Sequence, residues 1–123
     1  MLYYFLESQN ERLPVVKSIS VSNTISNFAA HYKVPVVETP VGFKYLSKYL
    51  LSEEAMIAGE ESGGFGFLDF KDRDGIVSSI YIIHLIIEGR NLTFMIYNDV
   101  NTKIGDVRHL FSSDDDILLG YIK

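Results

Sequence analysis

The 123-residue chain contains no cysteine. That excludes disulfides, thiolate nucleophiles and cysteine-ligated zinc, and it fits a reducing cytoplasm. Basic charge is also scarce. Eleven Lys and Arg stand against sixteen Asp and Glu, for a formal net charge of −5 and a pI near 5.1, which argues against non-specific nucleic-acid binding. No long hydrophobic run is present. The most apolar stretch, residues 76–87, is 12 residues long, and a bilayer span needs about 20, so it reads as a buried helix. The apolar opening, residues 1–6, is too short for a secretory signal and has no positive flank. His31, His84 and His109 show no metal-binding spacing, and His84, inside the apolar run, reads as a satisfied core residue. Asn91-Leu92-Thr93 has the form of a glycosylation sequon but is read as chance. Asp114-Asp115-Asp116 reads as solvated surface and not as a cation site.

What is present is enough for a core. A hydrophobic content of 47% in a chain of this length describes one folded domain. Residues 1–10 look like the tail of a helix. Residues 13–19 read as a strand, and Ser20 or Ser22 can cap a helix with Ile25, Phe28, Ala29 and Tyr32 on one face. A short strand at 34–37 and a Pro-Val-Gly turn precede a second helix, Phe43–Leu51, with Phe43, Leu46 and Leu50 inward. Strands follow at 55–58 and 65–70. Asp74 caps a third helix over 75–88, Gly89 stops it, and Ile76, Ile80, Ile83 and Ile87 line one face. Residues 92–104 lean helical, and 106–123 read as an extended exit segment. Strands alternating with helices define an α/β layer architecture.

The richest chemistry lies in Gly59-Glu60-Glu61-Ser62-Gly63-Gly64, followed by Arg73-Asp74-Gly75. Glycines admit turns and close backbone approach. A carboxylate accepts several hydrogen bonds, and a hydroxyl donates or accepts. The combination suits a polyhydroxylated ligand, and no nucleophile sits beside a base. Glu61 either faces solvent or braces the loop. Asp74 is explained by capping, and Arg73 could pair with an acid or a phosphate. Ser20, Ser22 and Asn23 form a polar patch at a helix start, where capping is the simpler role.

Three segments in order resemble the third domain of the alpha-D-phosphohexomutases, the phosphoglucomutases and phosphomannomutases. They are the glycine-rich loop at 59–64, Glu38-Thr39-Pro40-Val41-Gly42-Phe43-Lys44-Tyr45, and Lys17-Ser18-Ile19-Ser20 with Ser22-Asn23. The resemblance covers roughly residues 14–90. It implies a single α/β domain with a mixed four-stranded sheet and flanking helices over 14–105. Residues 1–13 would then be a remnant of a preceding domain or a linker, and 106–123 an exit toward a C-terminal domain. It further implies that Glu60 and Ser62 hold two adjacent sugar hydroxyls, that Lys44 lies near substrate and phosphate, and that Gly59, Gly63 and Gly64 set the loop backbone.

The parent reaction implied is the interconversion of hexose 1-phosphate and hexose 6-phosphate through a phosphoserine and hexose 1,6-bisphosphate, with magnesium. The family's phosphoserine loop, its aspartate-rich metal loop and its C-terminal phosphate-binding loop have no counterpart in these 123 residues. The chain is therefore expected to carry no catalytic or metal-binding residue of its own and to be inactive alone, as a domain of a larger enzyme. Its expected partners are the substrate and that enzyme's other domains. The alternative is a freestanding, non-catalytic module for a sugar phosphate or a protein partner. The sequence does not choose between glucose and mannose, and an acetylated amino sugar remains open.

Overall fold

In the computed structural model, which describes residues 1–88 and residue 103, a five-stranded sheet runs through the middle of the chain in the order β2-β1-β3-β4-β5. The strands are β1 (Val15–Ser18), β2 (Val36–Thr39), β3 (Ile57–Gly59), β4 (Phe65–Phe67) and β5 (Phe70–Arg73). The first three are parallel, with Val15 opposite both Val36 and Ile57. β3–β4 and β4–β5 are antiparallel. The sheet thus has five strands and not the expected four, because residues 65–70 do not form one strand. The chain turns at Leu68-Asp69 and returns as β5.

The helices are α1 (Asn23–His31), α2 (Phe43–Leu51) and α3 (Gly75–Ile87). The Ser22 hydroxyl accepts from the Thr24 N–H and caps α1. Asp74 caps α3, accepting from the Ile76 and Val77 N–H groups at 2.8 and 3.1 Å. Each cap satisfies donors that have no partner within the helix. The path from β1 to β2 runs one way across the sheet and the path from β2 to β3 runs back. Right-handed crossovers then require α1 and α2 to lie on opposite faces.

Two cores result. On one face Val15, Ile57 and Phe67 pack against Phe28 and Ala29 of α1 and Val77 and Leu85 of α3. On the other, Val16 and Ala58 pack against Leu46 and Leu50 of α2. Each large apolar side chain among them contributes about 1.5–3 kcal/mol on burial.

Leu2, Tyr3, Tyr4, Phe5 and Leu6, from the segment set apart as remnant or linker, are buried in the first core. Tyr4–Ser8 forms a single π-helical turn. The Phe5 ring lies 5.7 Å from Phe67 and 5.2 Å from Tyr81, and Phe67 lies 4.8 Å from Tyr81. Such aromatic pairs add about 0.5–1.5 kcal/mol each beyond area. The Tyr4 hydroxyl and His84 Nδ1 share a hydrogen bond of 3.0 Å. Ser8 Oγ donates to Glu88 at 2.8 Å, and Lys103 Nζ donates to Glu7 at 2.6 Å.

Two expectations for α3 are corrected. The helix is not buried, since Ile76 and Ile87 are each 75% exposed and Ile80, Ile83 and Ile86 are exposed beside them. The inward face is Val77, Ser78, Tyr81 and Leu85. His84 is likewise not a core residue but an exposed one, 3.5 Å from Glu88. Among the described residues, no helix is long and apolar enough to cross a membrane. The expectations for Gly89, Asn91, 92–104, 106–123, His109 and Asp114–Asp116 lie outside the described residues.

Candidate functional site at the strand ends

The C-terminal ends of β1 and β3 mark the point where the chain's path across the sheet reverses. In open α/β sheets this is where a crevice for a ligand forms. The three segments singled out from the sequence meet there: the β1–α1 loop, the β2–α2 turn and the β3–β4 loop at 60–64.

Within the β3–β4 loop, the Glu60 N–H donates to the Gly64 carbonyl (3.0 Å) and the Gly63 N–H donates to the Glu60 carbonyl (3.1 Å). Gly63 sits at φ +81° with open space around it, so backbone conformation and not crowding selects glycine there. At Gly64 a Cβ would stand 2.5 Å from Arg73 Cδ, so a side chain there would displace Arg73.

Glu60 is only 8% exposed. Its Oε1 accepts from the Gly42 N–H, just before α2, at 3.0 Å. Its Oε2 lies 3.7 Å from the Arg73 guanidinium, which also sits 5.8 Å from the Phe43 ring centre. A carboxylate has about four lone-pair positions, so Glu60 keeps capacity for hydroxyl donors. Ser62 is exposed and, with Gly63, Gly64, Phe65, Arg73 and Gly75, lines an open cavity of about 320 Å³. One arginine thus borders both the carboxylate and the cavity. Lys44, the second residue of α2, has its Nζ 4.8 Å from the Tyr45 ring centre.

Glu61 turns the other way. Its Oε2 accepts from Ser18 Oγ at 2.9 Å and from Ser20 Oγ in a short contact, with the two hydroxyls 3.0 Å apart. Donation from Ser20, then from the residue's own backbone N–H and from Ser18, holds its carboxyl below the usual glutamate range. Glu61 thus does both things left open for it: its side chain is exposed to solvent, and it braces the loop. Ser22 acts as a cap, and Ser20 belongs to the Glu61 cluster.

Sequence reasoning assigned no role to Lys17. It is 1% exposed, and its Nζ donates to the Val21 carbonyl at 3.0 Å and pairs with Glu38 across the strand at 3.2 Å. The signal available was a lysine in the branched run Val15-Val16-Lys17-Ser18. That becomes informative only once β1 is known to be covered on both faces.

Such an arrangement defines an α/β/α domain with a polar, glycine-rich loop at the sheet's switch point. Residues 1–103 match the family model for the phosphoglucomutase/phosphomannomutase alpha/beta/alpha domain III, and the chain belongs to that family. It is 29% identical to mouse phosphoglucomutase-like protein 5 over 80% of its length, which is 17% of that protein. It is 28% identical to a Chlamydia trachomatis phosphoglucosamine mutase over 63% of its length, again 17% of the relative. Among solved structures, a Thermus thermophilus protein assigned as a phosphomannomutase superposes with a TM-score of 0.76 at 28% identity, over 85% of this chain and 24% of that one. Paramecium parafusin shares the fold, with a TM-score of 0.67 at 23% identity over 79% of this chain and 18% of that one. The chain therefore spans about a sixth of the length of the curated relatives it matches.

Proposed function

We propose that this chain is the sugar-recognition domain of a phosphohexomutase that interconverts hexose 1-phosphate and hexose 6-phosphate through a phosphoserine and a hexose 1,6-bisphosphate. Glu60 and Ser62 hold two adjacent hydroxyls, Lys44 supplies positive charge near a phosphate, and Gly59, Gly63 and Gly64 shape the loop. The observation that carries this reading is the fixed carboxylate of Glu60, held by the Gly42 N–H and by Arg73, which also lines the Ser62 cavity. Gripping hydroxyls and not the phosphate suits a reaction whose bisphosphate intermediate must turn over between two steps, because the same grip serves both orientations.

Magnesium belongs to the parent reaction. Among the described residues no group of His, Asp or Glu could hold a metal. Glu60 and Glu61 are drawn to opposite sides by protein donors, so they do not form a cage, and no step here runs through the metal. Phosphoryl transfer needs charge neutralisation around the transferred group as well as positioning. This domain contributes positioning, and the chain alone does not turn over.

The remaining domains of the mutase are its partners. The isoleucine face of α3 supports that reading, since contiguous exposed apolar surface marks an interaction site.

The test is a titration of the isotope-labelled chain with glucose 1,6-bisphosphate and mannose 1-phosphate, followed by amide chemical shifts. Shifts confined to residues 42–44 and 59–64, lost in Glu60→Ala, are expected. Shifts elsewhere, or none at ligand saturation of an intact mutase control, would refute the assignment. Turnover of hexose phosphate by the pure chain with magnesium would refute the claim of inactivity.

A further inference from the structure

We infer that Glu61, which the recognition reading leaves without a role, is the positioning residue of the loop. It latches the β3–β4 loop to the β1–α1 loop through Ser18 and Ser20 and thereby sets where Glu60 and Ser62 present themselves to a sugar. This rests on the sugar-recognition reading above and deepens it.

The β3–β4 loop is five residues long, 60–64. Two backbone hydrogen bonds close it, Glu60 N–H to Gly64 and Gly63 N–H to Glu60, and Gly63 and Gly64 lower the cost of leaving that conformation. External anchors therefore decide its position. Glu60 supplies one, toward the start of α2, but that residue is also the proposed ligand group, so its carboxylate would serve the sugar as well as the loop. Glu61 supplies the other. Its partners are 41 and 43 residues away in sequence.

Ser18 is fully buried at the end of β1, an interior strand of the sheet, opposite Thr39 of β2, so the latch ties the loop to a strand paired on both sides. Hydrogen bonds to an ionised acceptor are stronger than neutral ones. The Glu61 side chain is exposed, so its truncation opens no cavity, and a latch can be separated experimentally from a core contact.

The experiment measures amide exchange and glucose 1,6-bisphosphate binding on the same labelled chain, well below the melting temperature of every variant. Glu61→Ala should speed exchange at Glu60 and Gly63 by about tenfold, since local opening loses a charged anchor. It should weaken binding by about tenfold as well, the equivalent of one such hydrogen bond. Glu61→Gln keeps an oxygen that accepts from both serines and should restore binding to within about threefold of the original. Ser20→Ala, at an exposed site, should reproduce part of the loss, and combining it with Glu61→Ala should add nothing.

A purely structural role would lower the melting temperature while leaving exchange at Glu60 and affinity unchanged, and that result would overturn the proposal. Absence of binding by the unaltered chain would overturn the positioning role along with the sugar reading. In that case, faster exchange in Glu61→Ala would locate the failure in the ligand and not in the latch.

Discussion

Lys17 and Glu38 form an ion pair with unequal burial, and that inequality predicts unequal consequences of breaking it. The lysine is 1% exposed, whereas the Glu38 side chain is 47% exposed. Replacing Lys17 with Met keeps most of the stem volume and removes the ammonium. The losses are one hydrogen bond to the Val21 carbonyl, about 1 kcal/mol, and the attraction to Glu38, about 3 kcal/mol at the low end for a buried charge that loses its partner. Set against them is relief of a buried ammonium's desolvation, effectively several kcal/mol per ion in gross terms. Lys17→Met should therefore lie within about 1.5 kcal/mol of the original protein.

Glu38→Ala removes the exposed partner and strands the buried one. Loss of a partner from a buried charge costs about 3–5 kcal/mol, and the retained Val21 carbonyl places this case near the lower end. Lys17→Ala empties the stem volume too and should cost about 2–4 kcal/mol. Urea unfolding with a common slope gives the three values directly. If Lys17→Met destabilises more than Glu38→Ala, the ion pair is not organised as described and the argument fails.

Three further outcomes follow from the same geometry. In Gly66→Ala a new Cβ would stand 2.7 Å from both Leu50 Cδ1 and Phe43 Cζ and 3.3 Å from the Asp72 carbonyl, with Leu50 fully buried. Overpacking of about 1–3 kcal/mol is expected, seen as a lower melting temperature, and an unchanged transition would refute it. The Glu61 carboxyl is held below its ordinary value by Ser20, its own backbone N–H and Ser18. Its contribution to stability is thus complete above the unfolded glutamate value of about 4.3 and is lost as pH falls from there through the folded value. Glu61→Gln should flatten melting temperature against pH only in that acid window; Glu53, lowered by Lys71, leaves a residual slope in both proteins. On α3, Ile80→Lys with Ile83→Glu should reduce self-association measured by light scattering, with a stability change of about 0.5 kcal/mol or less, because both residues face away from the core; undiminished association would mean that another surface drives it.

The sequence was most readable where a local signal and the tertiary demand coincide. α2 runs Phe43–Leu51 as its apolar spacing indicates, and Asp74 caps α3 because a carboxylate there answers helix donors in any context. The parallel strands β1, β2 and β3 all begin two residues later than their apolar runs. Strand ends are set by pairing register, which the run of apolar residues does not encode. The turn at Leu68-Asp69 has neither glycine nor proline, so the apparent strand at 65–70 runs through it to the first residue of β5, and the rest of β5 goes unread. α3 carries apolar residues on every side, and such a helix has no strongly preferred face in its own sequence. Its rotation is set by Tyr81, which packs between Phe5 and Phe67, a contact that depends on residues far away in the chain.

The same distinction explains the site. Glu60 and Glu61 are identical neighbours in the sequence, and composition offers no reason to separate them. Their difference arises because the loop leaves β3 at the sheet's switch point, with α2 starting on one side and the β1–α1 loop lying on the other. Glu60 directly follows β3, and Glu61 lies inside the turn closed by the Gly63 N–H on the Glu60 carbonyl, so one carboxylate meets the Gly42 N–H and Arg73 while the next meets two serine hydroxyls. Two adjacent like charges would oppose each other in a bare loop. Here each is answered by its own donors, and the pair fixes the loop to two different loops of the sheet. A single glutamate could reach only one of those neighbours; two in succession tie the β3–β4 loop to both.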